Sequence, residues 1–156
     1  MRLKKITFLF FIFFILIFPI STKAQIPPLS EIPDTMTEAE VRKFLDHYIA
    51  QYTKMDFNAF IDLFSKEVAE NRMLRYEDIR EIYRKYFEVS DSLLYHLEIY
   101  TVQVYSSSAL VNGRYEVTQS FKGVNKKKIF QGNIQWNIIR EGDALKIKEI
   151  NYGRDR

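Results

Sequence analysis

Apolar positions along the chain recur with two periods, and the change falls near residue 90. Val41, Phe44, Leu45, Tyr48, Ile49 and Tyr52 repeat at helical spacing and make one wide apolar stripe. Thr37 with Glu40 forms a T-x-x-E capping box, so the first helix is predicted from about Glu38 to about Lys54. Asp56 then interrupts as an N-cap, and Phe57, Phe60, Ile61 and Phe64 start a second, shorter stripe running to about Ser65. Lys66–Arg75 has no clear period and reads as a loop. From Tyr76 to about Phe87, Ile79, Ile82, Tyr83, Tyr86 and Phe87 form a third stripe with an ordinary charged outer face. Beyond it the period becomes two. Leu93–Tyr105 alternates but switches phase at Ile99–Tyr100, as a β-bulge would require. After a turn at Ser106–Ser108, Ala109, Val111, Gly113, Tyr115 and Val117 alternate with Leu110, Asn112, Arg114, Glu116 and Thr118 as a one-sided strand. Lys122–Lys128 holds the next turn, Ile129–Arg140 is a third long strand, and Glu141-Gly142-Asp143 closes a hairpin into Leu145–Tyr152. Three helices before a four-stranded antiparallel meander is an α+β layout, with the helices packed on one face of a curved sheet. Phe64, Tyr83 and Trp136 are expected in its core.

The N-terminus divides differently. Met1–Ala24 has Arg2, Lys4 and Lys5, an apolar run from Ile6 to Ile20, and small residues at Thr22 and Ala24, the pattern of an export signal cleaved before Gln25. Its apolar run is shorter than the about 20 residues of a membrane span. An uncleaved anchor is the alternative, and no stable span remains once the signal is removed. Residues 25–36 contain three prolines and read as a linker, leaving 37–156 as the domain. The chain carries a formal net charge of +3, but four of its 23 basic residues lie in 1–24. The remainder therefore has 19 basic against 20 acidic side chains, which argues against nucleic-acid binding. Cysteine is absent, so the exported domain, periplasmic or extracellular, has no disulfides and depends on its core alone.

Four segments, in order, carry a likeness to a known family. Tyr48–Asp56 is similar to a first-helix ending, Phe60–Phe64 (FIDLF) to a short apolar second helix, and Asp78–Phe87 to a helix that closes a cone. Gly142–Ile147 (GDALKI) is similar to a terminal G-x-W-K-I strand, with Leu145 where tryptophan is usual. Together they resemble the nuclear transport factor 2-like superfamily, which includes polyketide cyclases and ketosteroid isomerases, over about Glu38 to Tyr152. The resemblance implies a cone-shaped α+β fold. Isomerase chemistry in that family uses a tyrosine on the first helix, an acidic base after the second and a protonated acid on the third long strand. Tyr48 sits at the tyrosine position. The base position falls close to Arg72, with Glu70 and Asn71 beside it, and the buried acid falls at about Gln135. Arginine stays protonated and cannot abstract a proton, so the catalytic set is not matched.

Other chemistry is thin. His47 and His96 lie on different elements without a ligand partner at metal-binding spacing, so no metal or cofactor is expected. Ser106-Ser107-Ser108 lacks a nucleophile motif, and Lys126-Lys127-Lys128 reads first as a solvated strand start, with an anionic lipid or glycan contact as the alternative. More unusual are Gln131, Asn133, Gln135 and Asn137, which alternate with Phe130, Gly132, Ile134, Trp136 and Ile138. Either the amides face outward and Trp136 meets the helices, or an isomerase-like register turns Gln135 into the cone and leaves an aromatic outer patch for a homodimer. Amides both donate and accept, so they suit neutral polar ligands such as sugars. The expectation is an exported binding module without catalysis, taking a small neutral or anionic ligand through Tyr48, Arg72 and Gln135. The alternatives are an isomerase, cyclase or hydratase acting on a small hydrophobic substrate, and a structural interaction module of an envelope complex.

Overall fold

The computed structural model describes residues 35–155, and the signal and nearly all of the linker expected from the sequence lie outside them. Three helices, α1 (Glu38–Lys54), α2 (Phe57–Ile61) and α3 (Tyr76–Val89), accompany five strands. These are β1 (Phe64–Glu70), β2 (Ser90–Val104), β3 (Ser108–Phe121), β4 (Lys127–Glu141) and β5 (Ala144–Tyr152). The strands make one curved sheet in the order β1-β5-β4-β3-β2. The last four form the expected meander. β1 is an addition, pairing in parallel with β5 through Phe64↔Ile147, Ala69↔Glu149 and Glu70↔Ile150. The sheet is therefore five-stranded and mixed, not four-stranded and antiparallel, and α3 follows β1 so the helices are not all N-terminal to it.

Two causes explain the difference. A register shift between Phe64 and Ala69 breaks the alternation of β1, and its consecutive exposed Lys66 and Glu67 are the charges of a protected edge strand. The second helix also stops at Ile61, so Phe64 and Ser65, expected to close it, open β1 instead.

The local signals at the helix ends hold. Thr37 and Glu40 form the capping box, and Arg140 of β4 reaches Glu40 at 2.9 Å, tying the start of α1 to the sheet. The Asp56 side chain accepts from the Ala59 N–H at 3.1 Å, and Met55 ends α1 in the left-handed conformation. The phase switch in β2 is a bulge between Ile99 and Thr101.

One sheet face is covered by the helices. Val111, Val117, Ile134, Trp136, Ile138, Ile147 and Ile150 meet Val41, Leu45, Tyr48, Phe60 and Ile79 there, all buried. Tyr48 stands at the centre, its ring 5.1 Å from Phe60 and 6.1 Å, edge-on, from Trp136. Contacts of this kind are worth roughly 0.5–1.5 kcal/mol each beyond area burial. Phe64 and Trp136 are buried as expected, whereas Tyr83 is only partly so. Because Trp136 lies inside, the intervening Asn133, Gln135 and Asn137 point to the outer face, and the isomerase-like register of β4 does not occur.

Candidate functional site

Helices and sheet do not close completely. Between them lies a cavity of about 130 Å³, lined by Tyr48 and Tyr52 from α1 and by Ile82, Tyr83 and Tyr86 from α3. Tyr95, Tyr115, Val117, Phe130, Ile134, Ile150 and Tyr152 line it from the sheet, and Arg154 completes the wall. Seven of the chain's ten tyrosines therefore surround one space. Helical spacing puts Tyr48 and Tyr52 one turn apart, their rings 6.4 Å from each other. Alternation on β2 and β3 turns Tyr95 and Tyr115 inward. Tyr95 meets Tyr52 edge-on at 5.2 Å, and Tyr115 meets Tyr152 at 6.0 Å.

Burial holds the phenols of Tyr48, Tyr52 and Tyr83 well above their ordinary value, and Tyr86, Tyr95, Tyr115 and Tyr152 are raised for the same first reason. The walls thus stay uncharged across the ordinary pH range and offer hydroxyl groups with apolar rings between them. Arg154 supplies a cation. Its guanidinium stands 4.9 Å from the Phe130 ring, its charge acts on Tyr86, Tyr115 and Tyr152, and it has no carboxylate partner among the described residues. The backbone around it is pinned to β4, with Gly153 N–H donating to Asn133 and Asp155 N–H to Gln131, both at 3.0 Å. Asp155 also pairs with Arg114.

Behind the cavity wall lies a buried acid. The Tyr152 hydroxyl donates to Glu70 Oε1 at 2.5 Å, Glu70 is 1% exposed, and its Oε2 has no partner among the described residues. Burial raises the Glu70 carboxyl, and the Tyr152 hydrogen bond opposes that rise. Glu70 ends β1 and starts a tight turn closed by Glu70–Leu74 backbone hydrogen bonds, with Asn71 and Arg72 both at positive φ. Glu70 is turned inward, and Arg72 two residues later is exposed on the turn.

The three residues singled out by sequence do not share a site. Tyr48 lines the cavity, Arg72 lies at the surface, and Gln135 lines a separate groove on the outer sheet face. The sequence reading named Glu70 only as a neighbour of Arg72, gave the remaining cavity tyrosines no site role, and did not single out Arg154. The usable signal was the placement of Tyr95 and Tyr115 on the inward phase of two neighbouring strands, in line with Tyr48 and Tyr52.

No protein-family model matches the sequence, and no curated protein matches it. Solved structures do. A nuclear transport factor 2-like superfamily protein from Salmonella enterica serovar Typhimurium LT2 superposes with a TM-score of 0.65 at 16% identity, over 76% of this chain and 90% of that one. A ketosteroid isomerase-like protein from Erwinia carotovora atroseptica SCRI1043 gives 0.61 at 14% identity, over 76% and 95%. A type 2 hexachlorocyclohexane dehydrochlorinase gives 0.59 at 8%, over 76% and 84%. The chain has the nuclear transport factor 2-like fold. At these identities the likeness shows the fold alone.

Proposed function

We propose that this protein is a binding domain that takes one small, largely apolar ring compound into its cone. A polar or anionic substituent of the ligand stays at Arg154. The observation that carries the reading is the cavity itself, about 130 Å³ walled by seven tyrosines and Phe130. That volume is close to the roughly 150 Å³ void that accepts a benzene ring. The walls offer ring faces and neutral hydroxyls, which fix a flat ligand without selecting for charge, while Arg154 favours a carboxylate or enolate over a cation. The anion preference expected from Arg72 is thereby assigned to a different arginine. Export through Met1–Ala24 remains part of the proposal.

Benzoate, benzyl alcohol and benzylamine, tested by thermal shift and calorimetry, separate the parts of this reading. Benzoate should bind best and benzylamine worst. Arg154→Gln should remove the advantage of benzoate over benzyl alcohol. Ile82, 45% exposed at the cavity wall, can be enlarged without entering the core, so Ile82→Trp should block both ligands while the protein stays folded. Unchanged binding in Ile82→Trp overturns the cone as the site.

Glu70 favours a second reading, proton transfer. A carboxyl with a raised pKa, bonded to a cavity tyrosine, is suited to exchange a proton with a bound ketone through the Tyr152 hydroxyl. Deuterium incorporation at the α carbons of cyclohexanone in D₂O, accelerated by wild type and not by Glu70→Gln, would support catalysis. Equal rates with both proteins leave binding without chemistry.

A further inference from the structure

The outer face of the sheet carries a second group of polar side chains that the cone does not use. Thr101, Asn112, Gln135 and Asn151 are successive cross-strand partners, so one row of side chains crosses β2, β3, β4 and β5. Gln135 Nε2 donates to Asn112 Oδ1 at 2.8 Å, and Asn112 Nδ2 donates to Thr101 Oγ1 at 3.0 Å. Asn133 occupies the next outward position on β4. Asn71 joins from the turn after β1, where its Oδ1 accepts from the Tyr152 N–H at 2.9 Å. These amides border a groove of about 460 Å³, and Tyr100, 53% exposed, stands on its β2 side.

Local folding preference does not explain this row. Asparagine is depleted in strands, and Asn112, Asn133 and Asn151 lie within three adjacent ones. The row is also only half used. Among the described residues, Gln135 Oε1, Asn151 Oδ1, Asn71 Nδ2 and both polar ends of the Asn133 side chain have no hydrogen-bond partner. The free groups include donors and acceptors, and none is charged. Arg114, beside Asn133 in register, is already paired with Asp155.

We propose that this groove is a second binding site, for a neutral oligosaccharide. Sugar hydroxyls donate and accept in turn, as amides do, and they bring no charge for which this surface has a counterion. The exposed Tyr100 ring supplies an apolar platform for the C–H face of a pyranose. From β2 to β5 the row spans three inter-strand spacings, ~14 Å, which is room for a short run of sugar rings and too long for a single small metabolite. The amide row lies on the sheet face opposite the helices, and the groove shares with the cone only the lining residues Ile134 and Tyr152.

The test is a titration of ¹⁵N-labelled protein with cellohexaose, maltohexaose and N-acetylchitohexaose, followed by NMR. At least one hexaose should give saturable shifts in the side-chain NH₂ signals of Asn112, Asn133, Gln135 and Asn151. Tyr100→Ala should weaken that binding about tenfold, and Asn133→Asp should weaken it as well. Both residues are exposed, so the remaining spectrum should keep its folded dispersion in each variant. No shift with any hexaose at millimolar concentration overturns the proposal, as does binding that neither variant weakens. Shifts confined to the cavity tyrosines overturn it too. So does sedimentation showing a homodimer that Tyr100→Ala and Asn133→Asp both dissociate, since the row would then serve a second copy of the chain.

Discussion

Tyr152 reaches Glu70 across the junction between β5 and β1, and its hydroxyl is the one hydrogen-bond donor to that buried carboxyl among the described residues. The pairing Glu70↔Ile150 sets the distance, so the contact depends on the parallel register of those two strands. It also gives the protein a pH signature. Burial raises the Glu70 carboxyl above its ordinary 4.5, so the folded state holds this proton more tightly than the unfolded chain does. The contribution of Glu70 to stability is therefore complete below about 4.5 and falls as pH rises through the folded value. Wild type should lose stability relative to Glu70→Gln over that window, and the difference should level off above it. Urea midpoints of both proteins from pH 4 upward, in about one-unit steps, read the effect. A difference independent of pH would show that Glu70 binds its proton equally well in the folded and unfolded chains, so that burial does not raise it.

Phe64 is 2% exposed, and its ring is 5.2 Å from Phe60 and 6.1 Å from Tyr83. Phe64→Ala should cost about 3–5 kcal/mol in denaturant unfolding, the range for a buried phenylalanine whose neighbours relax only in part. A loss below about 1 kcal/mol would mean that β1 and α2 are not packed as described.

Gly132 is buried in β4, where Gly153 crosses it. A Cβ there would meet the Gly153 carbonyl oxygen with no room for either atom. Gly132→Ala should lift residues 153–155 off β4 and carry Arg154 away from the cavity. The amides of Gly153 and Asp155 should then exchange faster with solvent, and the preference for benzoate over benzyl alcohol should shrink, while the core amides of β3 keep their protection. Protection unchanged at 153 and 155 would show that the strand yields instead.

Expression in an exporting host tests the N-terminus. The charged start, the apolar run and Ala24 predict an intact mass beginning at Gln25. A mass that still includes Met1–Ala24 would identify an anchor in place of a cleaved signal.

Periodicity carried most of the architecture because burial here follows it closely. The inward set on β3, Val111, Gly113, Tyr115 and Val117, is the one that alternation selects, and the bulge in β2 falls where the phase switches. β1 was illegible for a physical reason. Its pairing is parallel and distant in sequence, its register slips after Phe64, and its exposed Lys66 and Glu67 are adjacent instead of alternating. The cavity was illegible for another reason. Each of its tyrosines occupies a position that reads as core, and an unfilled space is a mismatch of volume between facing elements, not a property of any one position. The resemblance placed its base position at Arg72, two residues from the buried Glu70, and a turn with two left-handed residues decides which of them faces inward. The orientation of β4 was open in the sequence, where either face could have met the helices, and it is the burial of Trp136 that turns Gln135 outward.

The parallel pairing of β1 with β5 also bears on how the protein is made. β5 lies between β1 and β4 in the sheet but is the last of the eight elements to leave the ribosome. Until then β1 has no strand to dock against, Glu70 has no hydroxyl to meet, and the helices that follow and precede β1 cover an incomplete floor. Loop closure over so long a separation is slow, so a nascent chain carrying everything up to β4 should remain open and sensitive to protease. Acquisition of structure should thereby wait until synthesis has passed residue 152, so that the sheet closes in one late step when β5 fills the place between β1 and β4.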